Sequence, residues 1–341
     1  GETAALAVHF LQIVVPSQPL LMVGMIGGAV LRSHGDARAA MMATVWGAVA
    51  TAVLDPILIF GFGWELTGAA IASVVARVVI AWVALQPIRK RYGGFDRPTT
   101  RQVMADMGPI WAIAIPAILT QVATPVGQAF VTRATSAYGE AAVAGMAIAG
   151  RLTPVAFGVI FALAGAIGPI VGQNFGAGRM DRVRRTFWDA LVFTGLVIVL
   201  VSALLFLLRG QIADAFRAEG LTRDLVFLFC GPLALLWFFN GMVFVGNAVC
   251  NNLGRPFWST VVNWGRHTVG TIPLALWLGQ YWGAQGVLIG QALGGVVFGL
   301  AAAWLALLAI RKPVLAAPRD RRTGDQIPET EPVASPGERR A

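Results

Sequence analysis

Apolar residues in this chain come in long runs rather than alternating with polar ones, and short basic segments separate the runs. A helix needs about 20 mostly apolar residues to cross a hydrocarbon core about 30 Å thick. About nine runs meet that length. They cover 4–31, 41–62, 66–88, 107–135, 141–172, 187–208, 224–252, 257–279 and 284–310. Most exceed the minimum, which implies tilt or kinks. The pattern predicts an all-α, polytopic membrane helix bundle.

Composition agrees. The 341 residues are 57% hydrophobic and 13% charged, where a soluble domain carries about 25% charged residues. The net charge of +9 would suit nucleic acid, but the positions of the basic residues argue otherwise. Arg32, Arg38, Arg89, Lys90, Arg91, Arg97, Arg101, Arg179, Arg182, Arg184, Arg185, Arg255, Arg311 and Lys312 fall in one set of loops. The alternate loops carry Arg133, Arg209, Arg217 and Arg223. The positive-inside rule makes the first set cytoplasmic. This places the C-terminus inside and the first residue outside, in the cell's inner (plasma) membrane. Cys230 and Cys250 lie many turns apart on one expected helix, so they are read as free, buried thiols.

The chain starts Gly1-Glu2-Thr3 and runs straight into an apolar segment with no charged leader before it. That pattern does not read as a signal peptide. With an odd number of spans, it points to a fragment lacking its amino-terminal part. From Pro313 to Ala341 apolar periodicity stops and Pro, Arg, Glu and Ser dominate, the composition of a disordered cytoplasmic tail.

An internal repeat divides what lies between. Arg32-Ser33-His34-Gly35-Asp36 corresponds to Asn252-Leu253-Gly254-Arg255, Trp46-Gly47 to Trp264-Gly265, and Leu66-Thr67-Gly68-Ala69 to Ala284-Gln285-Gly286-Val287. The copies lie an even number of spans apart, so both have one orientation, as in two-lobed transporters. The expected division is 1–92 for the second half of an amino-terminal lobe, 93–106 for a cytoplasmic loop, and 107–312 for a complete carboxyl-terminal lobe.

Polar side chains inside a bilayer each need a reason. Asp55 is the one carboxylate deep within an expected helix. Thr51 lies one turn before it on the same face, and Pro56 removes a helical hydrogen bond beside it. An acid, a hydroxyl and a freed carbonyl suit H⁺ or Na⁺, although an Asp bonded across helices would also fit. Arg77, Arg151 and Arg266 also fall within helices, each placed to line a cavity or snorkel. His267 follows Arg266, and the pair fits either packing or a proton relay. His9 stands alone on an apolar helix and reads as structural. Gln121, Gln128, Asn240, Asn247 and Asn263 are amides that join helices or bind a substrate. Pro116 and Pro125 bracket Gln121 and predict a kink. Phosphate-loop, hydrolase, metalloprotease and cysteine-pair motifs are absent from the sequence, which argues against an enzyme or a metal site.

Two stretches resemble the multidrug and toxic compound extrusion (MATE) family. One is Leu54-Asp55-Pro56-Ile57-Leu58-Ile59-Phe60-Gly61 with Gly68-Ala69-Ala70-Ile71-Ala72-Ser73. The other is Ala142-Val143-Ala144-Gly145 and Arg151, then Gly168-Pro169-Ile170-Val171-Gly172-Gln173-Asn174-Phe175-Gly176-Ala177-Gly178-Arg179. Leu31 to Asp36 is similar too. The resemblance implies a two-lobed transporter of twelve helices, about nine of them present here. It implies efflux of drugs or organic cations by antiport against H⁺ or Na⁺, with no cofactor beyond the coupling ion. The partners it implies are small molecules and the lipid bilayer, not nucleic acid, and the state is a monomer. Many members join a helix-one Asp to an Asn and an Asp on helix five and a Thr on helix six. Asp55 matches the helix-five Asp, Thr51 stands at the Asn position, and Ser73 stands at the Thr position. In another branch acids on helices seven and ten bind the cation. Here Gln121 and Asn240 or Asn247 are nearest, so coupling is expected at Asp55. Gln121, Asn240, Asn247, Arg151, Arg266 and His267 remain as substrate-cavity candidates. The alternatives are a related lipid-linked oligosaccharide flippase and a non-transporting membrane fragment.

Overall fold

The computed structural model describes residues 2–95 and 98–312, with side chains from residue 5 onward. The tail expected over 313–341 lies outside the described residues. Every regular element among the described residues is helical, as apolar segments of this length require where no water pairs the backbone. Among those residues there are nine passages. They are α1 (2–33), α2 (Ala37–Gly61), α3 (Glu65–Arg91), α4 (Thr100–Ser136), α5 (140–176), α6 (Met180–Ala215), α7 (Gly220–Asn252), α8 (256–282) and α9 (284–311).

The breaks within passages have local causes. Pro16 sits in a 3₁₀ turn at 15–17 that divides α1. Pro154 precedes the bend at Phe157 in α5. Gly231 and Pro232 interrupt α7, Gly231 having φ −96° and ψ −115°. Gly283, with φ 57°, turns the chain from α8 into α9. At the other end of the bundle, Gly35 and Gly254 close α1 and α7 with φ of 81° and 77°. After each glycine a backbone N–H reaches back five residues: Asp36 to the Leu31 carbonyl at 2.9 Å, Arg255 to the Cys250 carbonyl at 2.8 Å. Such caps satisfy carbonyls that the helix end would otherwise leave open. After the matching cap of α5, Arg179 Nε donates to Asp181 at 3.2 Å.

One expectation needs correcting. The polar segment over 93–106 was read as loop throughout, but α4 begins at Thr100. Thr99 accepts from the Gln102 backbone N–H at 3.4 Å, and the Thr99 N–H donates to Gln102 Oε1 at 2.8 Å. This reciprocal pair starts a helix without an apolar run.

Helices α1, α2 and α3 pack as one bundle, and α4 to α9 as a second. The repeat is visible in how they pack. A Cβ at Gly47 would overlap the Ile80 side chain, and one at Gly265 would overlap the Phe298 ring. A Cβ at Gly68 would lie 2.9 Å from the Leu58 backbone, and one at Gly286 would overlap the Leu278 carbonyl oxygen. The aligned glycines therefore do the same jobs in both hairpins: Gly47 and Gly265 make room for a side chain of the facing helix, and Gly68 and Gly286 let backbones approach. Cys230 and Cys250 are free and buried in separate apolar clusters of the second bundle. Large apolar side chains such as Leu200, Leu207 and Trp304 face outward, where lipid covers them. The two bundles meet where Gln173 Nε2 donates to the Ser33 carbonyl at 3.0 Å.

Gly286→Ala should lower the stability of the purified protein by about 2 kcal/mol through overpacking against backbone. Gly210→Ala, with nothing within 4 Å of the new methyl, should not. Thermal melts of both variants in detergent check this.

Candidate functional site

Asp55 lies near the end of α2, immediately before Pro56 and the wide π turn Ile57–Gly61. Its Oδ1 is buried and has no hydrogen-bond partner. The Thr51 hydroxyl, one turn earlier, donates to the Gly47 carbonyl at 3.2 Å, leaving its lone pairs free. Pro56 carries no N–H, so the preceding turn of α2 keeps an unfilled acceptor. Leu58 packs on Gly68, and Gly47 packs on Ile80. This antiparallel register brings the turn of α3 that bears Ser73 beside the turn that bears Asp55. The register thus sets the three residues at about one level of the first bundle, where Asp55 Oδ1 is left without a partner. A buried polar atom without a partner is costly, which marks Asp55 out within the first bundle.

A second polar contact braces that bundle. Arg77 Nη1 donates to the Val14 carbonyl and to Ser17 Oγ, both at 2.7 Å. The guanidinium bonds the Val14 carbonyl that the 3₁₀ turn of α1 leaves open, since the Gln18 N–H goes to the Val15 carbonyl instead. His9 Nε2 lies 3.2 Å from Thr67 Oγ1. A cavity of 290 Å³ lined by Trp64, Thr67 and Ile71 opens next to it.

The second bundle collects a different group. Arg266 and His267 are buried on α8 in a π turn. Arg266 Nη1 donates to Asn240 Oδ1 on α7 at 2.5 Å, and its Nη2 lies 2.7 Å from His267 Nε2. Thr271 Oγ1 donates to the Arg266 carbonyl at 2.8 Å. The His267 ring lies against Gly127 of α4, where a Cβ would overlap Nδ1. Gln128 follows, and its Oε1 accepts from Gln291 Nε2 of α9 at 3.4 Å.

Three expected cavity residues stay out of this group. Gln121 and Arg151 are exposed on their helices. Asn247 is half-buried, and its carbonyl accepts from Ser259 at 3.5 Å. The Pro116 carbonyl near Gln121 accepts from Thr120 and from Thr260, each at 2.8 Å, so hydroxyls rather than Gln121 serve the kink. Gln291 and Ser17 were missed. Their partners lie on distant helices, and nothing in their own neighbourhoods marks them.

The MatE family model matches residues 1–57 and 116–277. The chain belongs to the MatE family. It is 31% identical over 319 residues to the FAD transporter of Shewanella oneidensis, covering 89% of this chain and 68% of that protein. It is 22% identical over 328 residues to the multidrug export protein MepA of Staphylococcus aureus, covering 95% and 70%. A crystal structure of a point mutant of the Vibrio cholerae MATE transporter VcmN superposes with TM-score 0.85 at 22% identity, over 91% of this chain and 71% of that one. The chain thus spans about two thirds of the length of curated relatives that it matches. Family membership and the nine passages make it a multi-pass membrane protein of a transporter family. The resemblance read at Asp55-Pro56 and at Gly172-Gln173-Asn174 falls on this family.

Within this MatE chain the Arg77 brace gives a direct expectation. Arg77→Met removes two hydrogen bonds and leaves the Val14 carbonyl and the Ser17 hydroxyl only the 2.8 Å bond to each other, at a cost of about 1–3 kcal/mol. The melting temperature should fall, and Arg77→Lys should recover part of the loss.

Proposed function

We propose that this protein is a secondary active efflux transporter in which Asp55 carries the coupling ion, H⁺ or Na⁺, in antiport with a small organic solute. The observation that supports this reading is the partnerless Oδ1 of Asp55. A bound proton or Na⁺ supplies the missing partner, and Thr51, Ser73 and the acceptor freed by Pro56 complete its surroundings. Pro56 and the π turn after it form a break that lets the end of α2 shift when the ion arrives. A ligand drives such a shift only by binding the two arrangements unequally, and an acid with an unfilled bonding position meets that condition.

The first bundle is the ion-binding half of a two-lobed transporter, and the second bundle is the partner against which it rocks. The basic loop ends face the cytoplasm of an inner (plasma) membrane, and the protein works as a monomer. No chemical conversion is assigned to it. The multidrug export relative supports drug-sized substrates, and the FAD transporter relative extends that range to dinucleotides. The solute, whatever its charge, falls to the second bundle, since Asp55 is committed to the ion.

Inside-out vesicles from cells lacking their own efflux pumps test the reading. Uptake of ethidium and of riboflavin 5′-phosphate is followed with H⁺ and Na⁺ gradients intact and collapsed. At least one solute should accumulate in a gradient-dependent way, and Asp55→Asn should slow that accumulation about tenfold or more. Equal accumulation in the variant, or none of either solute by the wild type, contradicts it.

A further inference from the structure

We propose that the second bundle holds an anion-binding site at Arg266, so that the transported solute carries a phosphate or carboxylate rather than a positive charge. The inference rests on the transporter reading above and names its substrate class. Arg266 is 9% exposed, and among the described residues no carboxylate lies within salt-bridge reach of it. Its guanidinium is held by neutral groups only, Asn240 Oδ1 and the His267 ring. Its Nε is buried and has no partner at all. A guanidinium keeps its charge in any protein setting, so this is a positive charge placed in a bundle without compensation. That arrangement is costly to build, and an incoming anion removes the cost. The Nε–H is the donor left without a partner, and phosphate and carboxylate oxygens are the acceptors that a guanidinium bonds most strongly.

The surroundings favour an anion over a cation. Among the described residues no carboxylate lies deep in any helix of the second bundle, whose acids sit at helix ends or in loops. Gln128, one residue beyond the glycine on which His267 rests, opens onto a cavity of 140 Å³ between α4 and α5. Thr132, Thr135 and Met146 also line that cavity, and its lining carries no charged side chain. Among the described residues Asn240 is the one amide bonded to the guanidinium, and Gln128 and Gln291 bond each other nearby, beyond His267 and Gly127; none of these groups neutralises the charge. A cationic solute would meet repulsion here with nothing to offset it. The two functions are thus divided by charge: the acid in the first bundle takes the coupling cation, and the base in the second takes the solute anion.

Equilibrium binding to the purified full chain in lipid nanodiscs tests this without requiring transport. Riboflavin 5′-phosphate and riboflavin differ by one phosphate and are both read by flavin fluorescence. The wild type should bind riboflavin 5′-phosphate about tenfold or more tightly than riboflavin, the ratio expected of a charge-assisted bond. Arg266→Gln should abolish the difference, and Arg266→Lys should keep part of it. Ethidium should not displace the phosphate compound. Asp55→Asn should leave the preference intact, so its loss of transport is separable from loss of this site. Equal binding of the two flavins, no binding of the phosphate compound, or an unaltered preference in Arg266→Gln by protein with a wild-type melting curve overturns the proposal.

Discussion

A polar atom inside a hydrocarbon slab must find its partner within the protein, because water is not there to supply one. That constraint accounts for most of what the nine passages do. Helices satisfy the backbone. The glycine caps at Gly35 and Gly254 satisfy their ends. Arg77 reaches across to the Val14 carbonyl that the 3₁₀ turn leaves open, and Thr260 crosses to the Pro116 carbonyl. Against this background of satisfied groups, four buried side-chain atoms among the described residues are left without partners: Asp55 Oδ1 in the first bundle, and Ser202 Oγ, Arg255 Nε and Arg266 Nε in the second. Asp55 and Arg266 are the acid and the base among them that lie within helices away from the basic loops.

The packing is built to keep those two centres in place. Gly68 and Gly286 bring the helices of corresponding hairpins into backbone contact, which fixes depth and register in both bundles. In the first, this register sets Ser73 beside the Asp55 turn. In the second, Phe298 fills the space over Gly265 and Gly270 and holds the turn that carries Arg266 and His267. Because the contact between bundles at Gln173 and Ser33 is small and polar, movement of one bundle past the other breaks few apolar contacts.

Much of the fold was legible in the sequence because apolar length alone marks a span, and the basic loops mark their ends. The repeat was legible too, since Gly47 and Gly265, and Gly68 and Gly286, keep their spacing and later prove to make the same contacts. The start of α4 was not, because a capping box at Thr99 and Gln102 rather than an apolar run defines it. Asp55 could be singled out as the one deep acid. Which of Gln121, Arg151, Asn240 and Asn247 face a common space could not be read. Helices that are apolar all round carry no polar stripe to reveal their rotation. Arg266 and His267 were adjacent in sequence, but Asn240 lies on another helix and Gln291 on a third, and only packing unites them.

The central claim is that occupancy of Asp55 sets the relative arrangement of the two bundles. Spin labels at Arg38→Cys and Arg184→Cys, exposed positions at the basic ends of α2 and α6, report the distance between bundles by pulsed dipolar spectroscopy, while Cys230 and Cys250 stay buried. Changing pH or Na⁺ concentration should redistribute two distance populations in the wild-type background and leave one fixed population in Asp55→Asn. The same redistribution in both proteins would contradict the account.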